Sequence, residues 1–224
     1  MTEQPLMNTN PHTLDEQKLA TYLEQHIREF EGPLTAEKFP GGQSNPTYAI
    51  NAKSGRYVLR RKPPGTLLKS AHAVDREFQV IRALANTDVP VAKVYHLCED
   101  ESIIGSMFFL MEFVDGVVYW DAALPDKDNE QRSAMYDEMN RVLAAMHSVN
   151  IDAVGLSEFG KPGNYFERQI GRWSKQYRAA ETGTIDAMEQ LLVWLPANLP
   201  ADDGKVSLVH GDYRLDNMMF HPTE

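Results

Sequence analysis

The chain has 224 residues, of which 42% are hydrophobic and 24% are charged. These fractions are ordinary for a folded globular protein and argue against intrinsic disorder. The formal net charge of -10 disfavours nucleic acid or an anionic membrane as the main partner. It does not exclude a local basic site for a small substrate.

The single cysteine, Cys98, excludes an internal disulfide and metal sites built on paired thiolates, and it favours a reducing compartment. The first 13 residues are polar and lack the apolar core of a signal peptide. The most apolar run, residues 107–111, is far too short to span a bilayer. We therefore expect a cytoplasmic protein.

The sequence predicts both helices and strands in the first half of the chain. Thr13-Leu14-Asp15-Glu16 has the form of a capping box, which predicts that a helix begins there, and Gly32-Pro33 is expected to end it. Short β-type runs broken by turns follow over residues 34–62. A second helix is predicted over residues 73–85, and two more strands over residues 93–98 and 106–113.

The second half is predicted to be mainly helical. Apolar residues recur at helical spacing from Met135 to Met146 and again from Phe166 to Tyr177, and a third helix is predicted over residues 184–194, before Pro196. The tail returns to a β-type run at residues 206–209, then a polar loop and a short apolar segment.

Together these elements predict an α+β fold. An N-terminal tail and helix (residues 1–30) precede a small antiparallel-sheet lobe (residues 31–115). That lobe connects through residues 111–116 to a mainly helical lobe (residues 117–224), which includes a loop at residues 208–220.

Glu77 is expected on the apolar face of the second helix. At about 100° per residue its carboxylate falls among Val74 and Phe78, so it needs a cationic partner. Strand periodicity puts Arg60 on the same face as Val58. A strand cation paired with a helix glutamate is how protein-kinase-like enzymes hold ATP phosphates. A purely structural ion pair is the alternative.

The strongest motif is His210-Gly211-Asp212-Tyr213-Arg214-Leu215-Asp216-Asn217, just after a β-type run. Its spacing would let Asp212 accept a proton from a substrate hydroxyl while Asn217, five residues later, ligates Mg²⁺ at the phosphates. The alternative is an ordinary turn, in which aspartate is favoured because it forms local hydrogen bonds.

The string H-G-D-x-x-x-x-N resembles the catalytic loop of the aminoglycoside phosphotransferase and choline kinase family. The parts that precede this loop in the family occur here in the same order. Phe39-Pro40-Gly41-Gly42-Gln43-Ser44-Asn45 is similar to the nucleotide-covering loop. Arg60 takes the place of a strand lysine, Glu77 that of its helix partner, and Met111-Glu112-Phe113-Val114 that of the adenine hinge. From about Phe30 onward the chain looks like the phosphotransferase domain fused to, or encoded beside, some acyl-CoA dehydrogenases.

This resemblance implies a protein-kinase-like fold and a phosphotransferase that uses ATP and Mg²⁺, with a functional link to an acyl-CoA dehydrogenase. It implies that Asp212 is the catalytic base and that Asn217 binds the metal. Arg214 takes the position of a protein-kinase lysine near the transferred phosphoryl group, and a surface arginine of a polar loop is the alternative. The residues implied at the nucleotide are Ser44, Val58, Arg60, Glu77, Glu112 and Val114.

The chain departs from the family pattern at two points. Arg60 replaces lysine, which keeps the charge but changes the geometry of phosphate binding. The chain also ends at Glu224, before the strand on which the family carries a second metal-binding aspartate. We therefore expect a C-terminally truncated protein with an incomplete helical lobe and one Mg²⁺ ligand missing.

Basic residues recur along one side of the helix predicted around residues 164–178; they are Arg168, Arg172, Lys175 and Arg178. If this side faces the cleft, it favours an anionic acceptor such as a hydroxyacyl-CoA over a cationic aminoglycoside. Arg172, Trp173 and Lys175 are then the candidate substrate residues. A solvated helix face would have the same pattern.

The sequence thus predicts a kinase that transfers the γ-phosphoryl group of ATP to the hydroxyl of a small molecule. Two alternatives remain. One is a non-catalytic nucleotide-binding or scaffold module, a pseudokinase, which Arg60 and the missing metal ligand would fit. The other is an aminoglycoside-type antibiotic kinase.

Overall fold

The computed structural model describes residues 13–40, 45–63, 73–161, 163–201 and 204–222. The chain divides into two compact units, one made of Met1–Ala145 with His210–Glu224 and the other of Met146–Val209. The lobe boundary expected at residues 111–116 stays a prediction. None of the helices in the described ranges combines the length and hydrophobicity needed to cross a membrane.

An antiparallel sheet forms the centre of the first unit. Its strands are β1 (Leu34–Lys38), β2 (Thr47–Ala52), β3 (Gly55–Arg61), β4 (Val94–Cys98) and β5 (Phe108–Glu112). They lie in the order β1-β2-β3-β5-β4, so β5 is inserted between β3 and β4. The predicted succession of three strands, a helix and two strands is confirmed.

The helices are α1 (Glu16–His26), α2 (Val74–Leu84), α3 (Asn129–His147), α4 (Tyr165–Ala180) and α5 (Asp186–Ala197). A short 3-10 helix, Leu215–Asn217, lies in the predicted catalytic loop. Helix α3 begins in the first unit and ends in the second.

Helices α1 and α2 cover opposite faces of the sheet. Leu59 and Leu110 belong to the core cluster that includes α1 residues such as Leu19. Phe109, the next residue along β5, packs instead with Val74 and the other buried residues of α2. Successive strand side chains point to opposite faces, so this alternation decides which strand residues can meet α2.

The start of α1 differs from the prediction. Its N-cap is Asp15, whose Oδ1 accepts a hydrogen bond from the backbone N–H of Lys18 at 3.0 Å. Glu16 does not complete a capping box with Thr13, because its Oε1 accepts a hydrogen bond from the backbone of Ala36 in β1 at 2.8 Å. A tertiary contact therefore takes the side chain that the local motif requires.

The end of α1 also differs. The helix stops at His26, well before Gly32-Pro33. Phe30 is nevertheless buried, and its ring centroid lies 5.3 Å from that of Tyr57 in β3. Its apolar spacing thus reflects burial in the core and not continuation of the helix.

The second unit contains α4 and α5. Arg178 of α4 forms ion pairs with Glu181, just after that helix, and with Glu189 of α5. The structure extends α5 to Ala197, so Pro196 lies within its last turn instead of following it. Neither helix has a buried residue in the described chain.

The β-type run at residues 206–209 does not form a strand among the described residues. Val206 and Val209 are instead half exposed. A strand needs a hydrogen-bonded neighbour as well as an apolar sequence, and this segment has no such neighbour in the described part of the sheet.

Candidate functional site

The sheet register brings Arg60 to the face covered by α2. Arg60 is the cross-strand partner of Phe109, which packs against α2, so the two side chains share that face. Glu77 projects from the first turn of α2 and meets it. Strand and helix periodicity predict this encounter, and the structure brings the two side chains together.

The two groups form a half-buried ion pair. Arg60 Nε lies 2.9 Å from Glu77 Oε1, and the side chains are 32% and 31% exposed, so an anionic ligand can reach both. Despite the short distance, the Nε–H is not aligned as a hydrogen-bond donor. Burial raises the pKa of the Glu77 carboxyl, and Arg60 and Asn45 partly oppose that rise.

Asn45 is a site residue whose contact the sequence did not predict. It ends the predicted nucleotide-covering loop, is buried, and helps to lower the pKa of the Glu77 carboxyl against the rise that burial causes. Ser44, its predicted neighbour at the nucleotide, lies outside the described residues together with Gly41, Gly42 and Gln43. Since Asn45 and Glu77 are far apart in the chain, no local periodicity could have connected them.

The predicted hinge begins with the last two residues of β5. The backbone N–H of Glu112 donates to the Lys93 carbonyl at 2.8 Å, and Glu112 Oε1 accepts from the Lys93 N–H at 2.7 Å. Because the Glu112 N–H is already bonded, only the Glu112 carbonyl is a candidate backbone contact for a ligand at this residue. Val114 is exposed, whereas Val58 is buried on the α2 side of the sheet.

The segment after the predicted hinge is bonded to the end of the predicted catalytic loop. Val117 and Phe220 exchange two backbone hydrogen bonds of 2.9 Å, which form an isolated antiparallel bridge. Gly116 permits this approach, because a Cβ there would lie 3.1 Å from the Met219 side chain and 3.2 Å from the Phe220 carbonyl oxygen. The bridge connects two predicted site segments that are remote in sequence.

The predicted catalytic loop presents Asp212 on a tight turn. Gly211 adopts φ +84°, a left-handed conformation that glycine tolerates best. Asn217 Nδ2 donates to Asp212 Oδ2 at 2.8 Å and to the Asp212 carbonyl at 2.9 Å. The loop is also attached to α3, since the Tyr213 hydroxyl donates to the Met139 carbonyl at 2.7 Å.

Arg214 lies between two carboxylates. Its Nε is 3.3 Å from Asp212 Oδ1 and 3.0 Å from Asp216 Oδ1. The Asp212 side chain is 63% exposed, so a substrate hydroxyl could approach it. This arrangement can do general-base chemistry: an accessible carboxylate is oriented by an amide on one oxygen and balanced by a cation on the other.

The donors near Asp212 suit a magnesium ion. Because Asn217 donates through its amide nitrogen, its amide oxygen stays available as a hard ligand, and the Asp212 and Asp216 carboxylates lie in the same loop. Mg²⁺ typically binds one or two protein oxygens together with water and substrate phosphates. The described residues contain no cluster of three or more His, Cys, Asp or Glu side chains that could hold a metal ion.

The predicted substrate residues lie in the second unit, on α4. Arg172, Trp173 and Lys175 are exposed, and the Arg172 guanidinium lies 5.0 Å from the centre of the Trp173 ring. The other two basic residues of the stripe have local partners. Arg168 donates to backbone carbonyls of the segment that precedes the helix, and Arg178 pairs with glutamates.

The chain is similar to parts of longer proteins. It is 53% identical over 191 residues to acyl-CoA dehydrogenase family member 10 of Mus musculus, an alignment that covers 85% of this chain and 18% of that protein. It is 43% identical over 217 residues to acyl-CoA dehydrogenase family member 11 of Homo sapiens, which covers 95% of this chain and 28% of that protein. The chain therefore spans less than a third of these relatives.

Solved structures share the fold. A Ralstonia eutropha protein provisionally named an aminoglycoside phosphotransferase is 54% identical with a TM-score of 0.85, over 95% of this chain and 62% of that one. A spectinomycin phosphotransferase, solved with ADP and spectinomycin, is 16% identical with a TM-score of 0.60, over 99% of this chain and 67% of that one. These likenesses confirm the predicted α+β, protein-kinase-like fold.

The sequence profile of one family covers most of the chain. It matches residues 35–224, from the first residues of β1 through the hinge to the loop that carries Asp212. Together with the sheet, the Arg60–Glu77 pair and the Asp212–Asn217 pair, this match shows that the chain belongs to the phosphotransferase enzyme family.

Proposed function

We propose that the protein containing this chain is an ATP-dependent phosphotransferase that acts on the hydroxyl of a small molecule. The observation that carries the proposal is the Asp212 carboxylate, exposed on its turn and held on Oδ2 by Asn217. Family membership and the fold shared with a phosphotransferase solved with ADP support it.

In the proposed reaction, the acceptor hydroxyl lies against the free side of the Asp212 carboxylate. Its oxygen forms a bond to the γ-phosphorus as the bond from that phosphorus to the bridging oxygen of ADP breaks, and the hydroxyl proton passes to Asp212. Arg60, held by Glu77, binds phosphate oxygens, and the Glu112 carbonyl with the Val114 N–H binds adenine. Arg214, beside Asp212, balances charge that develops on the transferring group.

Asn217 is the residue proposed to hold Mg²⁺, through its amide oxygen. When bound there, the metal would supply charge neutralisation at the ATP phosphates. The Asn217 amide nitrogen meanwhile keeps Asp212 in place, so one side chain would serve both the metal and the base. A cytoplasmic location remains part of the proposal, supported by the single cysteine.

For the acceptor we propose a hydroxyacyl-CoA, with Arg172, Trp173 and Lys175 contributing to its binding. The names of the longer relatives support an acyl thioester, and two exposed cations on α4 suit its phosphates. The name of the Ralstonia protein supports the rival acceptor class, the aminoglycosides. Charge separates the two classes of acceptor, since hydroxyacyl-CoA esters are anionic and aminoglycosides are cationic.

The test is ATP turnover by the full-length protein with Mg²⁺ and a panel of hydroxyacyl-CoA esters and aminoglycosides. We expect turnover with a hydroxyacyl-CoA and a loss of about 10²- to 10⁴-fold in kcat for Asp212→Asn, with nucleotide affinity kept within about threefold. Asp137→Asn, an exposed aspartate of α3, is the matched control and is expected to keep wild-type turnover.

The outcomes separate the alternatives. Equal turnover by wild type and Asp212→Asn would remove Asp212 from the mechanism. Nucleotide binding without turnover of any acceptor would support the pseudokinase alternative. Phosphorylation of aminoglycosides alone would sink the acyl-CoA proposal and leave the kinase proposal intact.

A further inference from the structure

Tyr213, the residue after Asp212, connects the predicted catalytic loop to a helix. Its hydroxyl donates to the Met139 carbonyl at 2.7 Å, a distance typical of a well-formed hydrogen bond between two oxygens. Met139 lies within α3, away from both ends of that helix. The two residues are 74 positions apart in the chain, so the bond links the loop to a separate, regular element.

The Tyr213 side chain is held at both its hydroxyl and its ring. Its ring packs edge-on against His210, with the two centroids 5.7 Å apart. The side chain is half-buried, and burial, with a smaller contribution from the Glu138 carboxylate, raises the pKa of Tyr213. The hydroxyl therefore stays protonated around neutral pH and remains a donor to the helix.

The side chains that contact Asp212 belong to its own loop. Asn217 donates to Oδ2, Arg214 lies beside Oδ1, and the Asp212 N–H donates to His210 Nδ1 at 3.3 Å. Contacts within one loop fix the shape of that loop, but they cannot fix its place relative to other elements. An anchor to another element has to do that.

The other anchors of the loop lie farther along the chain. Leu215 is buried, and Phe220 pairs with Val117. On the N-terminal side of the loop, residues 206–209 form no strand in the described structure. Among these contacts, the hydrogen bond of Tyr213 is therefore the anchor nearest to Asp212.

From these contacts we infer that Tyr213 is a positioning residue for phosphoryl transfer. Through its hydrogen bond to α3, it holds the Asp212 carboxylate at the place where the acceptor hydroxyl arrives. A general base has to lie within hydrogen-bond reach of the proton that it takes, and a displacement of about 1 Å can lower the rate about 10²-fold. This inference rests on the proposed function, because it assumes that Asp212 is the base.

The experiment measures ATP turnover by the full-length protein with Mg²⁺ and the hydroxyacyl-CoA ester or aminoglycoside that the wild type phosphorylates fastest. We expect Tyr213→Phe to lower kcat about tenfold, because it removes the hydroxyl and one hydrogen bond but keeps the ring. The KM for ATP should change less than about twofold, since Tyr213 acts on the base and not on the nucleotide.

Tyr136→Phe is the matched control. The Tyr136 hydroxyl also belongs to a residue of α3 and also donates to a backbone carbonyl, that of Ala122, at 2.8 Å. Removing it deletes the same kind of hydrogen bond without touching the loop, so this variant should keep the kcat of the wild type. Circular dichroism confirms that each variant is folded.

A second background separates positioning from general structural damage. If Tyr213 acts through Asp212, Tyr213→Phe should lower the residual kcat less than about twofold when Asp212→Asn is already present. Hydrogen exchange gives a measurement that needs no turnover. The amides of residues 208–220 should exchange several-fold faster in Tyr213→Phe than in the wild type, and Tyr136→Phe should not change their exchange.

Each outcome has one meaning. A wild type that phosphorylates no acceptor would contradict the proposed function, while hydrogen exchange would still show whether Tyr213 anchors the loop. A wild type that turns over, with kcat of Tyr213→Phe unchanged, would overturn the inference about Tyr213 alone. An equal loss in both backgrounds would also overturn it, since Tyr213 would then act independently of Asp212.

Discussion

Arg214 illustrates, at the scale of one residue, how the structure makes a role that the sequence left open testable. Its Nε contacts Asp212 at 3.3 Å and Asp216 at 3.0 Å. A surface arginine of a polar loop would form the same local ion pairs, so mutation has to test its role. Since its side chain is 61% exposed, it also remains accessible to a phosphoryl group near Asp212.

We predict that Arg214→Ala lowers kcat by roughly 10- to 100-fold and changes KM less than about threefold, because the charge it balances develops mainly in the transition state. Steady-state kinetics of the full-length protein would measure both constants. Arg141→Ala, an exposed arginine of α3 paired with Glu138, serves as the control. An unchanged kcat for Arg214→Ala would remove it from the mechanism.

At the scale of one element, the start of α1 shows how a tertiary contact overrides a local motif. Thr13 and Glu16 have the spacing of a capping box, but Glu16 bonds to Ala36 of β1, and Asp15 caps the helix instead. Both candidates are good capping residues by type. The packing of α1 on the sheet decides between them.

The two possible caps predict different effects on stability. Asp15→Ala should lower the free energy of unfolding by about 1 kcal/mol, because it removes the acceptor of the Lys18 N–H. Thr13→Ala should change it by less than about 0.5 kcal/mol. Urea denaturation of the two variants measures the difference. The reverse order of effects would show that the capping box forms in solution.

At the scale of the whole molecule, the two compact units differ in how they are held together. The first is built on a sheet with core clusters on both faces. In the second, α4 and α5 have no buried residues, and Phe166, Trp173 and Trp194 are more than half exposed. Polar contacts such as those of Arg178 therefore carry more of the connection between these two helices.

Arg178→Ala is predicted to raise amide hydrogen exchange several-fold in α4 and α5 and to leave β2, β3 and β5 unchanged. The reason is that Arg178 pairs with Glu181 and Glu189 inside the second unit. Hydrogen exchange with mass spectrometry reads both units at once. Arg172→Ala, on the same helix, should not change exchange in α5. Faster exchange throughout the sheet would contradict the prediction, because it would show that Arg178 also stabilises the first unit.

Much of the first unit could be predicted from the sequence because its signals are periodic. The two-residue repeat of β3 predicted that Arg60 points to the face of the sheet opposite to Leu59. The helical repeat of α2 predicted that Glu77 lies among apolar residues. The structure brings the two together at 2.9 Å. The spacing from Asp212 to Asn217 predicted separate roles for the two residues in one site. The 2.8 Å hydrogen bond between their side chains is seen only in the structure.

The remaining features depended on the tertiary structure. The bridge from Val117 to Phe220 and the insertion of β5 beside β3 connect segments far apart in the chain. The run at residues 206–209 has strand-like residues, yet it forms no strand in the described structure. By itself the sequence determined the family, the succession of strands and helices along the chain and which face each periodic residue takes, since periodicity is a local property of the backbone. Only the tertiary structure decided which remote groups complete each other's hydrogen bonds, because those partners become neighbours only when the chain is folded.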